Sequence, residues 1–316
     1  NGVLTCFSAP FHPYFDRFPK GNTPMLRMLL RRLALGAITV AIVSIIIFSG
    51  VELLPGDACT AFLEREAKGK LLENCREAQG LNRGPIERYL DWAISAVQGD
   101  LGVSANGQKS ITELVGNRLK NSLLLAASSL ALGVPLAIFL GVITGLWRDR
   151  PIDLTLSTLA IFAMTIPEFV SATVLILVFS VWLGWLPGIV LTPAHAPAIE
   201  FFPEILLPVI VLTMVMTAHI LRMVRSSVIE VMAGDYVQMA TLKGVPYWRI
   251  VFRHALPNAL LPAINVVALT VAWLLGGVVV IEVVFNYPGL GRMIIDSISD
   301  RDLPVVQAIA LIVATV

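Results

Sequence analysis

The chain alternates between long apolar runs and shorter polar connections. The apolar runs lie at about 33–54, 121–146, 154–184, 205–224 and 259–283, and a sixth begins near Leu303. A run of about 20 residues is long enough, as a helix, to cross the hydrocarbon core of a membrane. The pattern therefore predicts an all-α polytopic membrane protein with six transmembrane helices. The sixth run is still apolar at Val316, so we expect the sequence to stop inside its last helix.

The composition supports this class. Hydrophobic residues make up 56% of the chain, charged residues only 14%, and the mean hydropathy is +0.80. Soluble domains carry roughly a quarter charged residues, and disordered chains need low hydrophobicity. A formal net charge of +1 provides no general basic field for nucleic acid, and 3 cysteines are too few for a disulfide scaffold.

Basic residues are concentrated in alternate connections, which predicts the orientation. Arg27, Arg31 and Arg32 precede the first run, and further basic residues crowd the connection after the fourth, whereas the connection at 185–204 has none. Because basic connections face the cytoplasm, both termini are predicted to be cytoplasmic.

The same reasoning divides the chain into four parts. We expect residues 1–24 to be an unstructured arm or a non-native extension and residues 25–54 to be the first transmembrane helix. Residues 55–120 are predicted to be an extracytoplasmic region, and residues 121–316 the transmembrane core.

The region 55–120 contains an amphipathic segment and two cysteines. Apolar residues recur at helical spacing between Leu81 and Val97, which predicts either a helix at the outer membrane boundary or a docking surface for a soluble partner. Cys59 and Cys75 would both lie outside the cytoplasm, where disulfides persist, and a bond between them is the slightly favoured alternative to two free thiols.

The connection between the fourth and fifth runs contains a short helix with signals at both ends. Asp235 is the predicted N-cap, and Gln238 stands where a capping-box side chain would be. Gly244 suits the left-handed position after the helix, and Pro246 prevents its continuation. The helix is either held on the membrane by anionic lipid or gripped as a rigid element by a cytoplasmic protein. One helical face carries Tyr236, Met239, Ala240 and Lys243.

This segment resembles a known signature. The run Gln238-Met239-Ala240-Thr241-Leu242-Lys243-Gly244, followed nine residues later by His254-Ala255-Leu256-Pro257, is similar to the coupling-helix motif of ABC importer permeases. In that motif, Glu-Ala-Ala, three residues and Gly precede nine residues and an apolar-x-Leu-Pro sequence. Gln238 and Met239 depart from it. Segments resembling the dipeptide/oligopeptide branch occur at 54–57, 99–102, 166–167, 183–187, 258–262 and 287–291.

The resemblance extends from about Met25 to Val316 and implies a type I, MetI-like permease fold in a bacterial cytoplasmic (inner) membrane. It implies a second homologous permease subunit, two cytoplasmic ATPase subunits that bind ATP and Mg, and an extracytoplasmic substrate-binding protein. It gives this chain a non-catalytic role with no cofactor and no metal, and substrates such as short peptides, nickel chelates or glutathione. The implied ATPase-coupling residues are Asp235, Tyr236, Gln238, Met239, Ala240, Lys243 and Gly244.

Two rival classes are weighed against this one. An ion-coupled secondary transporter or channel would bury ionisable groups, and the candidates are Glu168, His219 and Glu282. Glu168, next to the helix-breaking Pro167, is predicted to line a polar path. His219 is expected to have a hydrogen-bonded packing role, and Glu282 to be half solvated near a boundary.

A membrane enzyme is the second rival, but the sequence has no metal-ligand cluster and no nucleophile motif. It also has no G-x-x-x-x-G-K-[ST] phosphate-binding loop, so these residues cannot hydrolyse ATP by a P-loop mechanism. Gly141-x-x-x-Gly145 would let two helices approach closely.

Overall fold

The computed structural model describes residues 23–53, 59, 69–78, 82–104 and 109–315. Over these ranges the chain is helical, and its only β-type pairing is an isolated bridge between Val103 and Ser110. The all-α prediction is therefore confirmed. The expectations for residues 1–22 and Val316 lie outside the described residues.

The helices follow one another with short connections. They are α1 (Thr23–Glu52), α2 (Gly69–Ala78), α3 (Pro85–Val97), α4 (Ile111–Leu146), α5 (Pro151–Thr165), α6 (Glu168–Leu175, continued by a π-helix at Ile176–Trp182), α7 (Leu206–Met232), α8 (Asp235–Leu242), α9 (Tyr247–Ala259, with a π-helical centre at Ile250–Ala255), α10 (Leu261–Gly277), α11 (Val279–Val284), α12 (Leu290–Ser299) and α13 (Leu303–Thr315).

Within the described ranges, the number of membrane crossings falls short of the predicted six. α1, α4 and α7 are each long and apolar enough to span a membrane, and the bent pairs α5–α6 and α9–α10 raise the number to 5 if each pair is one span. α13 is apolar but has 13 residues, fewer than the roughly 20 that a crossing requires. The sixth run thus forms an apolar helix over the described residues, and its crossing of the membrane stays a prediction.

The third apolar run divides at Pro167, as predicted. Ile166 is extended, with ψ 127°, because a following proline disfavours the helical region. α5 and α6 meet there at 105°, so the break is a sharp turn rather than a kink in one rod.

α4 begins at Ile111, well before the predicted start of the second run. Residues 111–120 include charged side chains and therefore do not form an apolar run, yet Ile111 and Val115 are buried. They join a cluster with Leu290, Met293 and Ile309. Packing against α12 and α13 thus extends the helix beyond the hydropathy signal, into the region that was expected to be a loop.

Glycines allow α4 and α7 to pack closely. A Cβ atom added at Gly141 would lie 2.7 Å from Val224 Cβ and 2.9 Å from the Leu221 carbonyl oxygen. A Cβ atom at Gly145 would lie 2.7 Å from Val228 Cβ, and one at Gly133 would lie 2.5 Å from Met216 Sδ. The close approach predicted from the Gly141/Gly145 spacing is confirmed.

α7 is the central helix of the described fold. Within its most apolar stretch, 72% of the residues are buried, against 6% for α1. α4, α5, α6 and α10 all pack against α7, whereas α1 packs against α13 and α3. α3 rests on α1 through Tyr89, whose hydroxyl lies 2.8 Å from Ser44 Oγ, and it leaves Ile86 and Ile94 exposed.

A buried ion pair joins α5 to α7. The Arg225 guanidinium donates from Nε and NH2 to the two carboxylate oxygens of Asp153, at 2.6 and 2.7 Å. The Asp153 side chain is 0% exposed and that of Arg225 is 27% exposed. Asp153 also accepts hydrogen bonds from the Asp149 backbone N–H and the Ser157 hydroxyl. The carboxylate is thereby fully engaged, which is the condition under which a buried charge is tolerated.

We expect Gly141→Ala to destabilise the protein, because the new methyl group would force α4 and α7 apart. Overpacking of this kind costs about 1–3 kcal/mol. Gly116→Ala is the matched control, since Gly116 lies in the same helix and an added Cβ there has nothing within 4 Å. Thermal unfolding in detergent should show a lower midpoint for Gly141→Ala only; equal midpoints would contradict the close packing.

Asp153→Asn should also lower the free energy of unfolding, because it leaves the Arg225 charge without its counterion. Removing one partner of a buried pair costs on the order of 3 kcal/mol. Asp149→Asn makes the same change in a side chain that is 74% exposed and should be nearly neutral. The same unfolding assay measures both variants. An unchanged free energy of unfolding for Asp153→Asn would show that the ion pair contributes little to stability.

Candidate functional site

α8 begins one residue earlier than the sequence indicated. Gly234, in an extended conformation with ψ 148°, is the N-cap, and its carbonyl accepts the N–H groups of Val237 and Gln238 at 3.0 and 3.2 Å. Asp235 is therefore the first helical residue, and no side chain caps this end. The predicted Asp235 cap is wrong because Gly and Asp are both good N-caps and only the backbone conformation selects between them.

The predicted capping box is wrong as well. The Gln238 side-chain amide does not bond the backbone N–H of a cap residue; it donates to the Ala233 carbonyl at 3.3 Å. Ala233 is the C-cap residue that follows α7. Gln238 thus connects the first turn of α8 to the last turn of the central helix.

The other end of α8 agrees with the prediction. Gly244 has φ +72°, and its N–H donates to the Thr241 carbonyl at 3.0 Å. The Val245 N–H donates to the Ala240 carbonyl at 3.2 Å. These two bonds form a Schellman motif, which uses a left-handed residue to satisfy the last carbonyls of a helix.

α8 presents apolar side chains to its surroundings. Tyr236 and Met239, two residues of the predicted face, are exposed, whereas Ala240 is half-buried. Leu242, absent from that face, is 81% exposed. Val237 is buried and α8 packs against the π-helical centre of α9, so the opposite side of α8 is anchored.

An aromatic row on α9 lies next in sequence. Trp248 is 5.7 Å from Phe252 and 5.6 Å from Tyr247 between ring centroids, and all three rings are exposed. Sequence reasoning missed this aromatic row, although Tyr247 and Trp248 are residue types that favour interfaces.

The π-helical centre of α9 has a local cause. Pro257 lacks an N–H group, and its ring would collide with the carbonyl four residues earlier in a regular α-helix. The wider π turn at Ile250–Ala255 precedes this proline, and the helix continues to Ala259.

The remaining predicted site residues lie on other elements. Pro167 precedes α6 at the 105° bend, and Glu168 is the half-buried first residue of α6, which packs on α7 and α11. His219 is exposed on α7, so the expected packing role is wrong.

Cys59 is buried and disulfide-bonded. The Cys75 side chain lies outside the described residues, so the pairing of Cys59 with Cys75 stays a prediction.

Glu282 is buried, at 1% exposure, contrary to the expected half solvation. One carboxylate oxygen accepts from the Ser122 hydroxyl at 2.5 Å, and the other accepts from the Arg292 backbone N–H at 3.0 Å. Glu282 occupies the space that a side chain at Gly289 would need, since a Cβ there would lie 2.1 Å from a carboxylate oxygen. Hydropathy along the chain could not reveal this, because Ser122 and Arg292 come from α4 and α12.

Neighbouring polar residues connect the same elements. The Asn121 side chain donates to the carbonyls of Ala194 and Pro288, at 3.0 Å each. The buried Tyr287 hydroxyl donates to the Asn121 carbonyl at 2.8 Å, and burial, followed by the nearby Glu282 charge, raises the pKa of Tyr287. Asn286 donates to the Val190 carbonyl at 2.7 Å. The 286–291 turn, α4 and the connection before α7 are therefore held together.

Comparison with known proteins identifies the family of the chain. The family model for binding-protein-dependent transport system inner membrane components matches residues 133–316, which include α8 and Glu282. The glutathione transport system permease protein GsiC from Escherichia coli O6:H1 is 35% identical over 285 residues, covering 90% of each chain. The GsiC proteins of Escherichia coli strain K12 and Shigella boydii serotype 4 are 35% and 34% identical over the same length. The match thus covers more than half of the chain, and the chain belongs to the family of binding-protein-dependent transport system inner membrane components, the permeases of ABC importers.

Proposed function

We propose that this chain is the membrane subunit of an ATP-driven importer for glutathione, short peptides or related small solutes. It forms the translocation path together with a second, homologous permease. An extracytoplasmic binding protein delivers the solute, and two cytoplasmic ATPase subunits bind ATP and Mg. Family membership supports the class, and similarity to glutathione transport system permeases supports a peptide-like solute.

The geometry of α8 is the observation that supports its proposed contact with an ATPase subunit. The helix ends in a Schellman motif at Gly244, and Gln238 bonds its first turn to Ala233 at the end of α7. Its apolar side chains Tyr236, Met239 and Leu242 are exposed. A short helix with fixed ends and an apolar outer face is suited to seat in a cleft of a partner.

The proposed mechanism is rigid-body transmission. When the ATPase subunits close on ATP, α8 moves with the subunit that holds it. Because α8 is bonded to the end of α7, and α7 is packed against α4, α5, α6 and α10, the displacement reaches the helices around the path. Asp153 and Arg225 keep α5 attached to α7 during this movement.

We further propose that Glu168 lines the path at the bend after Pro167. Its side chain is half-buried at the start of α6 in an otherwise apolar stretch. Polar groups at breaks in membrane helices are tolerated where the break lines a cavity. Glu282 is a poor candidate for this role because its carboxylate is buried and accepts hydrogen bonds on both oxygens.

The proposed orientation predicts opposite labelling of two sites. In a chain whose native cysteines are replaced, Lys70→Cys in α2 and Thr241→Cys in α8 are both exposed positions. With sealed cells, a membrane-impermeant maleimide should label position 70 and leave position 241 unlabelled until the membrane is opened. Labelling of both positions from outside would contradict cytoplasmic placement of α8.

Gly244→Val should uncouple transport from ATP hydrolysis. Nothing lies within 4 Å of an added Cβ, so the effect comes from the left-handed backbone, which costs a branched residue about 1–2 kcal/mol. Gly244→Asn is the matched control, because Asn tolerates this conformation. With the assembled importer in nanodiscs, ATPase association or substrate-stimulated hydrolysis should fall for Val and be retained for Asn.

The alternative function of α8, anchoring to anionic lipid, gives a different result in the same assay. It predicts normal association and normal stimulated hydrolysis for Gly244→Val, together with weaker contact of α8 with the membrane surface. Normal association and normal stimulated hydrolysis in the Gly244→Val variant would therefore contradict the proposed contact between α8 and the ATPase.

A further inference from the structure

A groove runs between α4, α5 and α7 on the outside of the helix bundle. Its cavity measures about 440 Å³. Leu136 of α4, Leu159 and Ala163 of α5, and Met214 and Leu221 of α7 are among its lining residues. All three helices belong to segments that are apolar enough to lie in the membrane.

The groove offers no free polar group to an occupant. Apart from Thr213 and Thr217, its lining residues are leucine, isoleucine, alanine and methionine. The hydroxyls of the two threonines lie 3.5 Å from the carbonyls of Ser129 and Gly133 on α4 and are buried. An occupant must therefore be apolar along this length.

One end of the groove is basic. Leu156 and Leu221 line the groove, and about one turn further along the same helices the ion pair of Asp153 and Arg225 joins α5 to α7. Arg222 lies one turn beyond the lining residue Ala218, and Arg150 is the N-cap of α5. The Arg150 and Arg222 side chains are both exposed.

We propose that this groove binds an anionic phospholipid, with an acyl chain along α4, α5 and α7 and the phosphate beside Arg150 and Arg222. Each methylene removed from water contributes about 0.8 kcal/mol, and basic pockets between membrane helices attract anionic headgroups. A helix of the second permease is the competing occupant, but a phospholipid is the one that brings an anionic group to Arg150 and Arg222 at the end of the groove. The proposal rests on the membrane placement of these helices and not on the ATPase contact of α8.

The bound lipid holds α5 against α7 beside their ion pair. Both helices contribute lining residues along the groove, so a chain in it fills the space between them. Removing the lipid leaves Asp153–Arg225 as the main polar connection between α5 and α7. We therefore expect delipidation to lower the thermal stability of an Asp153→Asn complex more than that of the unaltered complex.

Native mass spectrometry of the assembled importer, extracted from vesicles of phosphatidylglycerol and phosphatidylethanolamine, tests the site. In the double variant Arg150→Gln and Arg222→Gln, retention of phosphatidylglycerol should weaken about thirtyfold, as expected for two basic side chains near a phosphate. The control double variant, Arg249→Gln and Arg253→Gln, changes exposed arginines of α9 and should retain the lipid. Equal retention in both double variants would overturn the proposal.

Two further measurements identify the occupant. Ala163→Phe fills the groove with a side chain and should reduce retention of both phospholipids while the complex stays assembled; unchanged retention would overturn the proposal. The thiol of an Ala163→Cys variant should react with a lipid-soluble maleimide and should not crosslink to the second permease. An efficient crosslink would show that a partner helix occupies the groove and would likewise overturn the lipid assignment.

Discussion

The contact between α4 and α7 is the interaction on which the rest of the fold depends. Gly133, Gly141 and Gly145 face Met216, Val224 and Val228 with no room for a Cβ atom. Within a bilayer, hydrophobicity does not drive two apolar helices together, so close packing of this kind must supply the association energy. It makes α7 the buried centre, and the positions of α5, α6 and α10 follow because each of them packs on α7.

The packing of α7 against α4 also affects α8, because α8 is attached to the end of α7. α8 is separated from α7 by two residues, Ala233 and Gly234, and Gln238 bonds across this junction. Its other end is fixed by the left-handed Gly244, after which the chain turns into α9. An exposed helix that is attached at both ends to packed helices moves with them. This attachment is the physical basis of the coupling role that we propose for α8.

Local chemistry made part of this structure predictable. Apolar runs indicated the long helices, Pro167 indicated a break, and Gly244 with Pro246 indicated the end of α8, because each signal acts within a few residues. The 105° angle at the break and the burial of Glu282 depend on contacts between distant segments. Asp153 and Arg225 looked like ordinary residues of polar connections, and nothing in the sequence pairs them. The early start of α4 was missed because hydropathy does not register a helix that is packed on one side only.

The buried carboxylates explain how so apolar a chain keeps charge in its interior. Asp153 is neutralised by Arg225 and receives two further hydrogen bonds, while Glu282 takes donors from α4 and α12 on separate oxygens. Such groups are costly to bury alone, but removing one would leave the groups paired with it unsatisfied. Their arrangement is that of connections between elements: Asp153 joins α5 to α7, and Glu282 joins α11 to α4 and α12. If separate ATPases drive this importer, as we propose, its helices need no proton relay, but they do need connections that keep their relative positions while the subunit moves. The two carboxylates meet that requirement, which is why we assign them to holding the fold rather than to carrying an ion.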